Sequence, residues 1–330
     1  MKRFFILPIA FFLALAFGAP SCAVDEVETG TDFYNRALEA WIRVNYGSVP
    51  APDDSGVFYL ERYIAPGATP SDSTYVGAHY VRRSLDGNIA STNREELCRQ
   101  LGTWKATGYY GSDIWQLDNG HLPAAVERAL KQMPAGSRVV MAVPQPQTIL
   151  TTSAYSAFPS SESTNVIYEV EVDTLIHDVY AWQDELLREH ADKYYNGIDT
   201  LSQGLYFYLR GEAASPDSIS DGSDINVSYI ARRLDGTVFD TNIRDSARFH
   251  RIYSASSSYS PLSITYYKEF SSMKSNNSYV DGFLAAINNM RYGDTCVTFF
   301  RSDLGYGATG SNPSVPEYSP MEFTIIVEPR

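Results

Sequence analysis

An internal repeat constrains the fold of this sequence more than any other feature. Residues 85–93 (LDGNIASTN) share a frame with residues 234–242 (LDGTVFDTN), which lie 149 positions further along the chain. Each stretch is typical of a hairpin turn that leads into a strand. The strand of the later copy has an aromatic residue and a carboxylate, Phe239 and Asp240, where the earlier copy has Ala-Ser. We therefore expect two related folding units, of which only the second has chemically distinctive side chains at this place.

The repeat extends on both sides of the hairpin. In each copy a strand precedes the hairpin, a short amphipathic helix closed by a glycine turn follows it, and an alternating strand ends the unit. The short helices are predicted within residues 122–136 and 279–293, and the final strands within residues 166–172 and 321–327. This pattern predicts an α+β fold with two domains, each an antiparallel sheet wrapped on a short helix.

A longer helix is predicted before each domain. Apolar residues at helical spacing favour one helix over about residues 31–46 and another over residues 179–195, which Asn196-Gly197 would end. The expected organisation is a signal segment at 1–22, a helical segment at 23–47, a first domain at 48–178, a linker helix at 179–200 and a second domain at 201–330.

The first 22 residues have the composition of a secretory signal. Lys2 and Arg3 precede an apolar run, Phe4–Phe17, that is too short for a comfortable membrane-spanning helix. Cys22 lies just after this run, and its context resembles that of bacterial lipoproteins, in which the cysteine is lipidated; plain secretion with an incidental cysteine is the alternative. We therefore expect a cell-envelope protein, anchored to a membrane through a lipid on Cys22, in the outer membrane on its periplasmic or surface side.

Composition and spacing argue against several classes of function. A formal net charge of -13 and a pI near 4.8 argue against a nucleic-acid partner, because phosphate binding needs a basic surface. The five histidines show no metal-ligand spacing, so we expect no metal and no cofactor. Residues 305–310 fit a G-x-G-x-x-G pattern, but prolines follow where a dinucleotide site needs a helix. Cys98 and Cys296 fall in different copies and are expected to be buried free thiols.

Several short motifs of the second copy occur in a characteristic order. They are VSY at 227–229, LDGTVFD at 234–240, GF at 282–283, MRYGD at 290–294, LGYGATG at 304–310, and then Pro316 and Phe323. In this order and spacing, over roughly residues 204–327, the second copy resembles the FKBP-type peptidyl-prolyl isomerase family. The first copy resembles the same fold without its chemistry.

The resemblance implies a peptidyl-prolyl cis-trans isomerase that acts on Xaa-Pro bonds of exported proteins, with proline-containing polypeptides as its partners. Such bonds isomerise slowly because a partial double bond must be twisted. The twisted amide has lost charge separation, so a dry aromatic cup stabilises it relative to the planar form. By resemblance the catalytic residues are Phe239, Asp240, which orients a pocket group or polarises the bound carbonyl, and Tyr306, which donates a hydrogen bond to the peptide carbonyl. The rest of the cup would comprise Tyr229, Phe249, Val280, Phe283 and Phe323.

Two features leave alternatives open. The first copy has Ala90, Ser91 and Val126 where the cup residues should be, which predicts a non-catalytic domain that holds clients, dimerises or acts as a spacer. Residues 251–278 of the second copy exceed the family's short link and are expected to form a surface loop or an extra hairpin, which could cover the cup. The alternative function is a catalytically inactive FKBP-like chaperone or protein-binding lipoprotein, and the sequence does not indicate the oligomeric state.

Overall fold

The computed structural model describes residues 30–150, 155, 157–196, 198, 200–211 and 218–330. The signal segment, Cys22 and Gly197 lie outside the described residues. Among the helices that are described, none is long and apolar enough to cross a membrane. Cys98 and Cys296 are free and buried, as predicted.

The first half of the chain forms a six-stranded antiparallel sheet packed on a short helix. Its strands lie in the order β1-β5-β6-β2-β3, with β4 paired to β2. In chain order the elements are α1 (Gly30–Tyr46), β1 (Phe58–Tyr63), β2 (Tyr75–Ser84), β3 (Ile89–Thr92), α2 (Glu95–Gln100), β4 (Asp113–Gln116), α3 (Ala124–Leu130), β5 (Arg138–Val143) and β6 (Val166–Ile176).

The second half repeats this architecture after a linker helix. Its seven-stranded sheet has the order β10-β9-β13-β12-β8-β7, with β11 paired to β9. The elements are α4 (Val179–Tyr195), β7 (Thr200–Ser202), β8 (Leu205–Leu209), β9 (Ser223–Arg233), β10 (Val238–Thr241), α5 (Arg244–Phe249), β11 (Leu262–Tyr266), α6 (Phe270–Asn276), α7 (Asp281–Ile287), β12 (Thr295–Phe300) and β13 (Met321–Val327). The predicted α+β fold, with two sheet-on-helix domains and a longer helix before each, is confirmed. Asn196 ends α4 in the left-handed conformation, at φ 55°.

Both faces of each sheet are covered. In β12, Cys296 and Phe300 point into the core that contains α7, whereas Val297 and Phe299 pack under the linker helix α4. Successive strand residues point to opposite faces, so a strand covered on both faces is apolar throughout. The helix α1 covers the first sheet in the same way, through Leu38 and Ile42. The two long helices are therefore part of the domains that follow them.

The Thr-Asn pair that both copies retain has a structural role. The side-chain oxygen of Asn242 accepts a hydrogen bond from the backbone N–H of Tyr229 (2.8 Å), and its amide donates to the carbonyls of Val227 (2.9 Å) and Ser260 (3.2 Å). Asn93 makes the same three hydrogen bonds, each with a partner 149 residues earlier. This asparagine thus joins the strand before the hairpin to the chain that leads into the next strand, in both domains.

The structure corrects the expected surface loop or extra hairpin at residues 251–278. The offset between copies is still 149 at the paired starts of β4 and β11, Asp113 and Leu262, and becomes 157 at the starts of α3 and α7. The eight additional residues of the second copy therefore lie between β11 and α7, where the helix α6 forms. β11 itself pairs with β9 and is the counterpart of β4. The residues that appeared extra are largely a strand of the sheet and a short helix.

Buried contacts join the two domains. The side chain of Arg233 is 3% exposed, and its guanidinium donates to the carbonyl oxygens of Thr107 and Gly108 in the first domain, both at 2.9 Å. Tyr318 of the second domain extends in the opposite direction and packs edge-on against Tyr75, with ring centroids 5.1 Å apart. The Tyr318 ring is part of the hydrophobic core of the first domain.

A buried carboxyl group at this interface predicts a pH-dependent stability. Burial, followed by the nearby Glu317 carboxyl of the second domain, raises the pKa of Asp113 from 3.8 to about 8, although a hydrogen bond with Asn93 opposes the shift. The folded protein then retains a proton that the unfolded chain loses above pH 4. This contribution to stability is complete below about pH 4 and is lost as the pH rises through about 8.

We expect Asp113→Asn to remove this slope. Relative to the parent, the variant should gain about 2 kcal/mol or more in free energy of unfolding between pH 5 and pH 9, because each tenfold change in proton affinity corresponds to about 1.4 kcal/mol. Urea unfolding at the two pH values measures the gain. The exposed carboxylate of Asp54, replaced by asparagine, is the control and should give no such gain. Equal pH dependence in the parent and in Asp113→Asn would contradict the prediction.

Candidate peptide-binding site

A β-bulge places the distinctive Phe-Asp pair of the second domain. In β10, Val238 pairs with Arg232 of β9 and Asp240 pairs with Ala231, so Phe239 is the extra residue. Adjacent strand residues normally point to opposite faces, and a bulge re-aims side chains locally. Here it allows Phe239 and Asp240 to line the same cavity. The first domain has the same irregularity between its β2 and β3, so the bulge belongs to the repeat.

Aromatic rings from four parts of the second domain converge on Phe323 of β13. Its ring centroid lies 5.3 Å from that of Phe283 on α7, 6.2 Å from that of Tyr229 on β9 and 6.5 Å from that of Phe239. These rings border an open cavity of about 280 Å³. The complete lining consists of Tyr229, Ala231, Phe239, Asp240, Leu262, Ser278, Tyr279, Val280, Phe283, Tyr306 and Phe323.

The polar groups of the cavity are two phenols and one carboxylate. The Tyr229 hydroxyl donates to Oδ2 of Asp240 at 2.6 Å. Burial and the hydrogen bond to Asp240 raise the pKa of Tyr229 above its ordinary value of 10, and burial and the charge of Asp240 raise the pKa of Tyr306. Both phenols therefore stay protonated at neutral pH and act as hydrogen-bond donors.

The loop that presents Tyr306 is held by its own backbone and by the linker helix. Gln183 of α4 accepts a hydrogen bond from the backbone N–H of Ser302 at 2.7 Å. The carbonyl of Ser302 in turn accepts from the N–H of Gly307 at 2.7 Å. Gly310 has φ 63°, and a Cβ there would lie 2.5 Å from the Val315 carbonyl oxygen, so only glycine fits. The glycine pattern at 305–310 thus shapes this loop.

The cavity brings together all the predicted residues of the cup except one. Phe249 lies at the C-terminal end of α5, is 81% exposed and packs edge-on against His250, so it does not line the cavity, contrary to the prediction. Sequence reasoning missed four lining residues: Ala231, Leu262, Ser278 and Tyr279. Ala231 lies two residues after Tyr229, and the period-two rule could have found it. Leu262 depends on β11, which had not been predicted.

The corresponding place in the first domain is filled with side chains. Tyr80 lies where the second domain has Tyr229, and its ring centroid is 5.7 Å from that of Trp115 and 6.0 Å from that of Phe158. All three residues are buried. The hydroxyl of Tyr155, a tyrosine that the sequence suggested as a match for Tyr306, accepts hydrogen bonds from Gln116 and Asn119, at 2.9 and 2.5 Å. The phenol that could donate to a ligand is therefore engaged inside the domain.

The described part of the chain contains no cluster of three or more His, Cys, Asp or Glu side chains that could hold a metal ion. The chemistry available at the cavity is therefore that of the apolar rings, the phenol hydroxyls and the Asp240 carboxylate.

Comparison with known proteins assigns the second domain. Residues 215–328 match the family model described as FKBP-type peptidyl-prolyl cis-trans isomerase. The chain is 30% identical over 127 residues to the macrophage infectivity potentiator of Trypanosoma cruzi, covering 38% of this chain and 52% of that protein. It is 25% identical over 143 residues to the FKBP-type 22 kDa peptidyl-prolyl cis-trans isomerase of Escherichia coli (strain K12), covering 42% and 55%. The chain spans about half the length of the curated relatives it matches.

Among solved structures, the three FKBP domains of wheat FKBP73 align with 84% of this chain and 95% of that chain, at 17% identity and a TM-score of 0.30. The second domain is a member of the FKBP-type peptidyl-prolyl cis-trans isomerase family. The chain as a whole has two FKBP-like domains, the predicted fold class.

Proposed function

We propose that the second domain is a peptidyl-prolyl cis-trans isomerase that acts on Xaa-Pro bonds of exported proteins. The observation that best supports this proposal is the open 280 Å³ cavity, in which aromatic rings from four parts of the domain surround a carboxylate and two protonated phenols. Relatives of this domain include a named peptidyl-prolyl isomerase. Proline-containing polypeptides are the proposed partners.

In this proposal the cavity favours the twisted amide over the planar one. The proline ring enters between Tyr229, Phe239 and Phe323, above Phe283. The planar amide is more polar than the twisted amide, so a wall of aromatic carbon destabilises the planar form relative to the twisted one. No covalent bond forms or breaks, and no proton has to be transferred.

Two polar interactions hold the substrate in register. The Tyr306 hydroxyl, which stays protonated because its pKa is raised, donates to a peptide carbonyl. Asp240 accepts from Tyr229 and thereby fixes the orientation of that ring at the rim of the cavity. A hydrogen bond that is stronger in the twisted state than in the planar state lowers the barrier.

Isomerisation of a short Xaa-Pro peptide, measured by a protease-coupled assay or by NMR exchange, tests the proposal. The protein should accelerate the reaction, and Tyr306→Phe should lower kcat/KM by about tenfold, since loss of one hydrogen bond costs about 0.5–1.5 kcal/mol. Tyr253→Phe is a matched control because this tyrosine is exposed and does not line the cavity. No acceleration by the parent would overturn the proposal, and suppression of client aggregation without any rate would favour an inactive binding module.

We further propose that the first domain is non-catalytic and that the protein is anchored to the cell envelope through a lipid on Cys22. The filled place beside Tyr80 supports the first part, because a proline ring has no cavity to enter there. The apolar N-terminal run that precedes Cys22 supports the second part. Incorporation of labelled palmitate, and its loss in Cys22→Ala, is the measurement that tests the anchor.

A further inference from the structure

A second cavity adjoins the aromatic one. It has a volume of about 490 Å³ and shares Tyr229, Phe239, Asp240 and Leu262 with the aromatic cavity, so the two are continuous. The remaining wall comes from the end of β10, from α5 and from the segment that leads into β11. This larger space can therefore receive chain that extends from a proline held in the aromatic cavity.

The second cavity differs from the first in its chemistry. Its wall is rich in hydroxyl groups, contributed by Thr241, Ser257, Ser258, Tyr259, Ser260 and Ser263. Asp240 is the one charged side chain among the lining residues of the two cavities. It is exposed to solvent, and it stands where the cavities meet. A carboxylate surrounded by hydroxyl oxygens offers acceptors to a cation and repels an anion.

We propose that the hydroxyl-lined cavity binds the residue that flanks the substrate proline and that Asp240 makes it prefer lysine or arginine there. This inference rests on the proposed isomerase function and adds the class of substrate. Asp240 then has two roles, because the carboxylate that orients Tyr229 also selects the charge of the neighbouring substrate residue.

The first domain shows that this charge is a property of the second copy and not of the fold. An equivalent cavity of about 520 Å³ lies in the first domain, bordered by Ala90, Ser91 and Thr92 at positions 149 residues before Phe239, Asp240 and Thr241. Its single charged lining residue is Lys105. The two copies therefore retain the cavity and differ in its sign.

The test uses peptides that are identical except for the residues on both sides of one proline, which are lysine, glutamine or glutamate. Isomerisation rates and binding, the latter by fluorescence anisotropy, are measured on the same peptides. We expect kcat/KM and affinity to be about threefold higher with lysine than with glutamine and about threefold lower with glutamate, as for a solvent-exposed ion pair. The spread should shrink with added salt.

Two variants separate charge selection from catalysis. Asp240→Asn should bring the ratio between the lysine and glutamate peptides close to one, whatever happens to the absolute rate. Ser258→Lys, at an exposed lining position, should reverse the preference. Ser220→Lys is the matched control: it is also exposed but precedes the start of β9, about 20 Å along the strand from Tyr229 at about 3.3 Å per residue, and should leave the ratio unchanged.

The outcomes distinguish the two proposals. Equal rates and affinities for the three peptides, with clear acceleration, would overturn the charge-selective site and leave the isomerase standing. Binding that favours lysine without any acceleration would support the site and overturn the isomerase. Absence of binding to every peptide, or a lysine preference that persists in Asp240→Asn, would overturn the inference.

Discussion

Replacing Phe239 with alanine is expected to lower kcat/KM for an Xaa-Pro peptide by about 30- to 100-fold, the equivalent of about 2–2.7 kcal/mol of lost transition-state stabilisation. The ring stands on the bulge of β10 and forms one wall of the cavity, 6.5 Å from Phe323. Without it, water enters the cavity, and the planar amide is no longer disfavoured. The ring is only half-buried, so the free energy of unfolding should fall by only about 1 kcal/mol.

The chain provides a matched control in Phe249→Ala. Phe249 is also a phenylalanine of the second domain, ten positions later, but it is 81% exposed and outside the cavity. We expect its replacement to leave kcat/KM unchanged, as determined by the same peptide assay. Equal losses for both variants, or no loss for Phe239→Ala, would show that the cavity is not where the reaction takes place.

Replacing Gly282 with alanine is expected to destabilise the second domain by about 3 kcal/mol, through overpacking of a core that has no spare volume. Gly282 lies in α7, where alanine would normally favour the helix. A Cβ at this position would, however, overlap Cγ and Cδ1 of the Phe300 ring. Phe300 is fully buried and stacks on Phe323 of the cavity, with ring centroids 5.8 Å apart, so it cannot move aside freely.

The first domain suggests the compensating change. At the positions equivalent to Gly282 and Phe300 it has Ala125 and Val143, a larger residue on the helix facing a smaller one on the strand. Adding Phe300→Val to Gly282→Ala should therefore make the double variant about 2 kcal/mol more stable than the sum of the single changes predicts. Additive effects would contradict this account.

Two probes separate the domains in this measurement. All four tryptophans lie before the second domain, at positions 41, 104, 115 and 182, so their fluorescence reports unfolding of the first domain and the linker helix. Hydrogen exchange of peptides from α7 and β12 reports the second domain. The loss in Gly282→Ala should be largest in those peptides.

Much of the fold was predictable from the sequence because its signals are local. The alternation of β13, the helical spacing of α4 and the glycine turns after the short helices each depend on near neighbours in the chain. The internal repeat then converted these local signals into a domain organisation, because each copy supported the assignment of the other. Most of the cup could be named in advance, by resemblance to a family whose aromatic residues occur in a recognisable order.

The misplacement of Phe249 and the missed Leu262 have a common cause. Both depend on the course of the chain between β10 and α7, where serine and tyrosine are abundant and the spacing favours no single structure. Only its pairing with β9 makes residues 262–266 a strand, and only the position of that strand brings Leu262 to the cavity. The propensities of a short segment are too weak to decide between a strand and a loop without a tertiary partner.

The sequence by itself determined that the two copies share a frame and that Phe239 and Asp240 are present in only one of them. Tertiary structure decided what this difference means. A bulge directs both side chains to one cavity in the second domain, whereas in the first domain Trp115 and Phe158 fill the space beside Tyr80. The physical reason is that composition and spacing act along the chain, but a cavity exists only where distant segments leave volume unfilled, and close packing settles that for the molecule as a whole.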